Sequence, residues 1–256
     1  MDKIFEVLPK GKKVYFASDF HLGAPPSEQS IEREKRIIRW LQSIEKDAAA
    51  IFLLGDIFDF WFEYKRAIPK GFIRLQGKFA ELVDQGIPLI FFTGNHDLWM
   101  FDYFTKELGI PVYRKPREYL ISGKVFLIGH GDGLGPGDHF YKFLKKIFEN
   151  KIAQWLFKWV HPDIGMKLAH AWSKDSRISN NAKGNDFKGE DEWLWQYCKE
   201  VEKESHHDYY IFGHRHLPLD LEVAKNSRYI NLAEWVNYSN YAVFNGSNTT
   251  LETFKD

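Results

Sequence analysis

Cysteine is almost absent from this chain: Cys198 is the single one in 256 residues. That excludes a disulfide framework, and a reducing compartment fits best. Excess charge is absent too, with 35 Lys and Arg against 35 Asp and Glu. A general nucleic-acid binder carries a basic excess, so none is expected here; only a local basic patch is left open. No apolar run approaches the ~18 residues of a spanning helix. The opening stretch, MDKIFEVLPKGKK, holds no apolar signal core. The expectation is a soluble, cytoplasmic protein, with peripheral contact to the inner face of a membrane left open. Internal repeats and low-complexity segments are missing as well. Apolar residues, by contrast, make up 44% of the chain, so a real core is expected and disorder is not. The length fits one domain with an insertion, or two small domains.

Five short apolar runs end in Gly, Asp, Asn or His: Val14–Ser18, Ala50–Leu54, Leu89–Thr93, Val125–Ile128 and Tyr209–Phe212. Each reads as a buried strand. Helical spacing appears between them. Ser30–Asp47 carries Ile31, Ile37, Ile38, Leu41 and Ile44, and Phe72–Gln85 carries Leu75, Phe79, Leu82 and Val83. Gly86 and Pro88 then supply a stop. Alternating strand and helix predicts an α/β fold with covered sheets. The tail from Arg228 to Phe254 reads as strands.

The strand ends carry the chemistry. Asp19-Phe20-His21 comes first, and residues two apart on an extended chain point the same way. Gly55-Asp56-Ile57-Phe58-Asp59 follows. A carboxylate there is costly to bury unless it is paired, and bridging two cations is one solution. Capping a helix is the plainer role for Asp56, and capping or support of a ligand for Asp59. Gly94-Asn95-His96-Asp97 offers a neutral oxygen at Asn95 and a His–Asp pair. Gly129-His130-Gly131-Asp132 and Gly213-His214-Arg215-His216 complete the set. A lone His is usually a satisfied structural residue, but five strand ends with ligand-type residues are hard to obtain by accident. The C-terminal edge of an α/β sheet is where sites gather.

This ordered set resembles the calcineurin-like metallophosphoesterase family from about Val14 to His216. The resemblance implies a two-sheet β-sandwich flanked by helices, a four-layer α/β/β/α fold. It implies one metal held by Asp19, His21, Asp56 and His216. The other would be held by Asp56, Asn95, His130 and His214, with Asp56 as bridge. Mixed N and O donors suit Mn, Fe or Zn better than Ca, and the family makes Mn the first choice. His96 is expected to stabilise transition-state charge or protonate the leaving group, with Asp97 orienting it.

Asp19, Asp56, Asn95 and His130 follow one another at intervals of 35–39 residues, whereas His214 comes 84 residues after His130. A helical insert, 134–204, is therefore expected within a core of 1–133 and 205–256. Its first part interleaves Phe140, Phe143, Ile147, Trp155, Phe157 and Trp159 with Lys142, Lys145, Lys146, Lys151 and Lys158. Some of these aromatics must simply pack on the core. A basic aromatic helix can also lie on an anionic membrane and admit acyl chains. The insert resembles that of the UDP-2,3-diacylglucosamine diphosphatases of lipid A synthesis, which cleave this lipid-linked substrate to UMP and a sugar 1-phosphate. That resemblance implies substrate contacts from Tyr141, Ser176, Asn180 and Lys183, beside Asn95 and His96. His96 departs from it, since the best-known members carry Arg there. Another dinuclear phosphoesterase, such as a nucleotide pyrophosphatase, a phosphodiesterase or a protein phosphatase, is the alternative enzyme. A non-catalytic scaffold of the same fold is the alternative outside enzymes, and it predicts missing ligands. No obligate protein partner is expected.

Overall fold

Residues 2–137, 139–168 and 186–256 are described by the computed structural model. The expected buried strands are present as β2 (Lys13–Ala17), β3 (Ala48–Leu54), β4 (Leu89–Phe92), β7 (Lys124–Ile128) and β8 (Tyr209–Phe212). Their near-continuous apolar character has a simple cause: both faces of each strand are covered. In β3, Ala50, Phe52 and Leu54 face one hydrophobic cluster while Ile51 and Leu53 face another. In β8, Tyr209 and Ile211 join the same central cluster, and Tyr210 and Phe212 join a third. Period-2 alternation of direction thus assigns successive residues to different layers.

Two six-stranded mixed sheets result. One runs β12–β11–β2–β3–β4–β5, the other β1–β6–β7–β8–β10–β9. The remaining strands are β1 (Asp2–Phe5), β5 (Val112–Tyr113), β6 (Arg117–Ile121), β9 (Pro218–Ala224), β10 (Ser227–Leu232), β11 (Asn240–Phe244) and β12 (Thr249–Thr253). The central cluster, with Phe16, Phe52, Phe126 and Ile230, lies between the sheets. On the outer face of the first sheet lie α1 (Ser27–Ile44), α2 (Ile73–Asp84) and the short α3 (Tyr103–Leu108). The fold is the expected four-layer α/β/β/α sandwich.

α1 buries Ile37, Trp40, Leu41 and Ile44, one stripe at helical spacing. Ile31 was expected on that stripe but is 44% exposed. The inward positions of its turn go to Arg33 and Glu34, which bind the His21 carbonyl at 2.6 Å and the Leu75 N–H at 3.1 Å. α2 ends before Gly86, which takes a left-handed φ of 77° that glycine adopts without a Cβ penalty.

Beyond His130 the chain leaves the sandwich as α4 (His139–Glu149), α5 (Lys151–Phe157) and α6 (residues 162–168). Asn150 caps α5, its side chain accepting from the N–H groups of Ile152 and Ala153. The cap is seated by aromatics. Phe157 lies 4.7 Å, centroid to centroid, from both Phe62 and Trp99, and the Trp99 indole donates to the Phe148 carbonyl at 2.8 Å. The last helix of the 134–204 span, α7 (Trp193–Glu204), packs against the second sheet through Leu194 and Cys198. Of that span, then, α4 to α6 stand off the sandwich and α7 is part of its outer layer.

Candidate metal centre

Strands β2, β3 and β4 are parallel neighbours, as are β7 and β8, so their C-terminal ends meet along one edge of the sandwich. The loops that follow are laced by backbone hydrogen bonds. Asp19 N–H donates to the Gly55 carbonyl, His21 N–H to Asp56, and Gly213 N–H to His130. All five motifs thereby converge. Asp19, His21, Asp56 and His216 offer one ligand atom each within 4.8 Å of one another. This is the first expected ligand set. His216 Nε2 lies 3.1 Å from Asp19 Oδ1 and 3.1 Å from His21 Nε2.

The second set surrounds the same Asp56. Asn95 Oδ1 sits 2.9 Å from His214 Nδ1 and 3.2 Å from His130 Nε2, and His130 Nε2 is 3.4 Å from Asp56 Oδ2. Among the described residues, buried Asp56 Oδ2 has no hydrogen-bond partner. A buried carboxylate oxygen left without a donor is costly. Imidazole nitrogens and acid oxygens converging around it fit a pair of transition-metal ions. Asp56 touches both sets, as a bridge must.

The local backbone is unusual. Asp19, His21, Asp56, His214 and His216 all have φ between 45° and 66°. Side chains other than Gly seldom adopt this left-handed region, and each instance stores strain of about 1–3 kcal/mol. Nothing in the motifs announces it. The strain is held by close packing. A Cβ on Gly94 would overlap the Asp56 carboxylate, and one on Gly213 would overlap Asp19 and Ser18.

Charge within the cluster follows from burial opposed by pairing. Burial alone would raise Asp19, but hydrogen bonds with His21 and His216 hold it well below the usual carboxylate range. Asp56 is likewise held low, mainly by His130, against burial. For His130, burial lowers the pKa, yet the Asp56 carboxylate lifts it to about 10. His214 is brought down to about 4 by burial and by its neighbour His130.

His96 and Asp97 divide differently from expectation. Asp97 does not orient His96. Its carboxylate accepts from the main-chain N–H groups of Gly94 at 2.7 Å, Ile57 at 2.8 Å and Asp56 at 3.2 Å. With the Phe58 N–H at 3.5 Å, four backbone donors from two loops outcompete one imidazole for a buried acceptor. Burial, together with the nearby Asp56 charge, raises its pKa to about 7. Among the described residues, Asp59 reaches His96: its carbonyl accepts from His96 Nδ1 at 3.0 Å, and its carboxylate lies 3.9 Å from both His96 Nδ1 and His21 Nδ1. Tyr141 on α4 stands beside the cluster, its ring 6.4 Å from that of His214, and its hydroxyl donates to Asp132 at 2.6 Å. Ser176, Asn180 and Lys183 lie outside the described residues.

Arg215, between the two His of the last motif, was not expected to matter. It is buried and paired with buried Glu192 at 2.8 Å, and it donates to the Asp186 carbonyl at 2.7 Å. The signal available was its place between two ligands.

Known proteins are similar to this chain. The family model for calcineurin-like phosphoesterases matches residues 12–218. A UDP-2,3-diacylglucosamine hydrolase of Porphyromonas gingivalis is 40% identical over 257 residues, 95% of this chain and 98% of that protein. Proteins of the same name match from Vibrio parahaemolyticus, 30% identical over 86% of this chain and 89% of theirs, and from Vibrio atlanticus, 26% identical over 94% and 96%. The matched stretch runs from before the first strand-end loop to beyond the last, and the chain belongs to the calcineurin-like phosphoesterase family.

Proposed function

We propose that this chain is a metal-dependent hydrolase that splits the pyrophosphate of UDP-2,3-diacylglucosamine into UMP and 2,3-diacylglucosamine 1-phosphate, a step of lipid A biosynthesis. One observation carries the reading: a cluster of ligand-type side chains around Asp56 sits in a chain 40% identical, over nearly full length, to a hydrolase named for that substrate. The non-catalytic alternative predicts missing ligands, and each of the seven expected positions holds a ligand-type side chain within the cluster.

Asp19, His21, Asp56 and His216 would hold one divalent ion, and Asp56, Asn95, His130 and His214 the second. Manganese is the first choice, with iron or zinc also suited to these donors. Such a pair clamps phosphoryl oxygens and lowers the pKa of water toward neutrality. His96 stands over His21, its ring 4.9 Å away and nearly perpendicular. The Asp59 carbonyl commits Nδ1 to carry a proton. As an imidazolium, His96 would stabilise developing charge on the phosphate or hand a proton to the leaving group. Asn95 and Tyr141 would meet the substrate at the same opening.

The lipid half needs an apolar entrance. Phe140, Phe143 and Ile147 on α4, with Trp155 and Trp159 beyond, are exposed on the cap. No described helix is long and apolar enough to cross a membrane. The cap face, with Lys151 and Lys158 among its aromatics, would rest on an anionic bilayer as a peripheral contact on the cytoplasmic side.

The test is a substrate panel with added Mn: the diacylated UDP-sugar, unacylated UDP-sugars, dinucleotides, cyclic nucleotides and an aryl phosphate ester. Strong preference for the diacylated sugar is expected. Equal turnover of the unacylated sugar would remove the lipid assignment and leave a general nucleotide pyrophosphatase.

A further inference from the structure

The chain has no net charge, yet its cations are unevenly placed. Beside His130 a cavity of about 560 Å³ opens near the ends of the two sheets. Thr93 and His130 form one part of its wall. Arg114 and Lys115, from the β5–β6 connection, line another, and Lys142 and Lys146 of α4 line a third. Two carboxylates share the cavity, Asp132 and Glu149. Asp132 is already engaged, by Lys145 at 2.7 Å and by the Tyr141 hydroxyl at 2.6 Å. Among the described residues, Arg114, Lys115, Lys142 and Lys146 form no ion pair; Arg114 and Lys142 donate only to main-chain carbonyls, those of Met100 and Gly135. Partial burial pulls the Arg114 guanidinium below its ordinary range, against the opposing pull of the Glu63 and Glu149 carboxylates.

Four cations lining one cavity repel one another, and a bound dianion would relieve that repulsion. Arginine and lysine are the residues that recognise phosphate. Pro116 and Tyr197 add apolar wall beside them, where a planar base could lie. We propose that this cavity receives the nucleotide half of the substrate: a nucleoside monophosphate whose phosphate meets Arg114, Lys115 and Lys146. This rests on the function proposed above, which requires one substrate to have a lipid end and a nucleotide end. The exposed aromatics of the cap suit the first and the basic cavity the second, with His130 and the ligand cluster adjoining the latter.

The experiment uses Mn-loaded full-length protein and isothermal titration with UMP, uridine and inorganic phosphate. The variant is Lys115→Ala/Lys146→Ala, two residues outside the metal-ligand set. Wild-type protein is expected to bind UMP more tightly than uridine or phosphate. The double variant should lose about tenfold or more in UMP affinity, as two charge-assisted contacts disappear. Its metal content should stay unchanged, any binding of inorganic phosphate in the cavity should weaken as well, and KM for the diacylated UDP-sugar should rise with kcat nearly constant. Unchanged UMP affinity in the variant would overturn the assignment. Wild-type protein that bound inorganic phosphate as tightly as UMP would also overturn it, by revealing an anion site blind to the nucleoside. Since binding is read without turnover, the outcome is separate from the substrate reading. Protein that binds UMP through these lysines but fails to cleave the diacylated UDP-sugar would sink the lipid substrate and leave the nucleotide site standing.

Discussion

At the scale of single residues, His96 is the position where the chemistry and the resemblance pull apart. Its main-chain N–H holds Asp56 at 2.8 Å while its ring rests on the Asp59 carbonyl. Backbone and side chain thus have separate tasks, so the side chain can be removed without losing the first. His96→Ala is expected to keep both metals, read by elemental analysis, and to lose about 10²–10³ in kcat. Turnover near that of the wild type would end its catalytic role. The clustering of the seven proposed ligand positions could be expected from the sequence, because each follows a run too apolar to end in charge by chance. The partner of His96 was not legible. Adjacency suggested Asp97, but neighbours on a tight turn point apart, and Asp97 turns to the main chain of two loops. The left-handed backbone at five ligand positions was hidden for a similar reason: Asp and His are ordinary residues, and only the packing around them forces φ positive.

At the scale of elements, the buried strands and α1 and α2 could be read from period and punctuation. Four strands escaped: β5 has only two residues, and β1, β6 and β9 carry charged residues among their apolar ones; all four lie at or near the edge of their sheet. Half-exposed strands give a weaker pattern than doubly covered ones. The long gap between motifs pointed to extra helices, and α4 and α5 lie there, but how they attach could not be read. α7 is joined to the last ligand loop by the buried Glu192–Arg215 pair. Removing one member of such a pair leaves a charge stranded. Arg215→Met is therefore expected to lower unfolding free energy by about 3–5 kcal/mol, measured in urea; a loss below about 1 kcal/mol would show the pair to be dispensable. The cap's aromatics also divide. Phe157 is a seat against Phe62 and Trp99, whereas Trp155 and Trp159 are 56% and 76% exposed. Trp155→Ser/Trp159→Ser should cut sedimentation with anionic vesicles several-fold without lowering the melting temperature. Unchanged vesicle binding would remove the membrane role from this face.

At the scale of the whole molecule, the ligand cluster joins loops from both sheets, so metal binding should act as a clamp across the sandwich. Ligands that bind only the folded state add RT ln(1 + [L]/Kd), about 2.7 kcal/mol at a hundredfold excess over Kd. For a chain of this size that corresponds to roughly 5–10 °C in melting temperature. Chelation is expected to lower the melting temperature by that order, and Mn to restore it. The pH dependence has a defined sign. Without metal, Asp56 holds a proton on His130 up to about pH 10. A histidine must be a neutral imidazole to hold a metal, so binding near pH 7 displaces that proton, and affinity should climb with pH and level off above about 10. Titrations in buffers of different ionisation enthalpy would show the proton release; its absence would mean that His130 is not a ligand.

Gly94 and Gly213 have no side chain to offer a metal, a substrate or a proton, yet each is shaped to the carboxylate of a different motif. The five motifs are therefore complementary surfaces as much as separate donors, and a change in one is felt through another. A saturation-mutagenesis screen for activity would register this as intolerance at two positions that do no chemistry. Gly94→Ala and Gly213→Ala should score beside the ligand substitutions, and tolerance there should return only together with a change at Asp56 or Asp19.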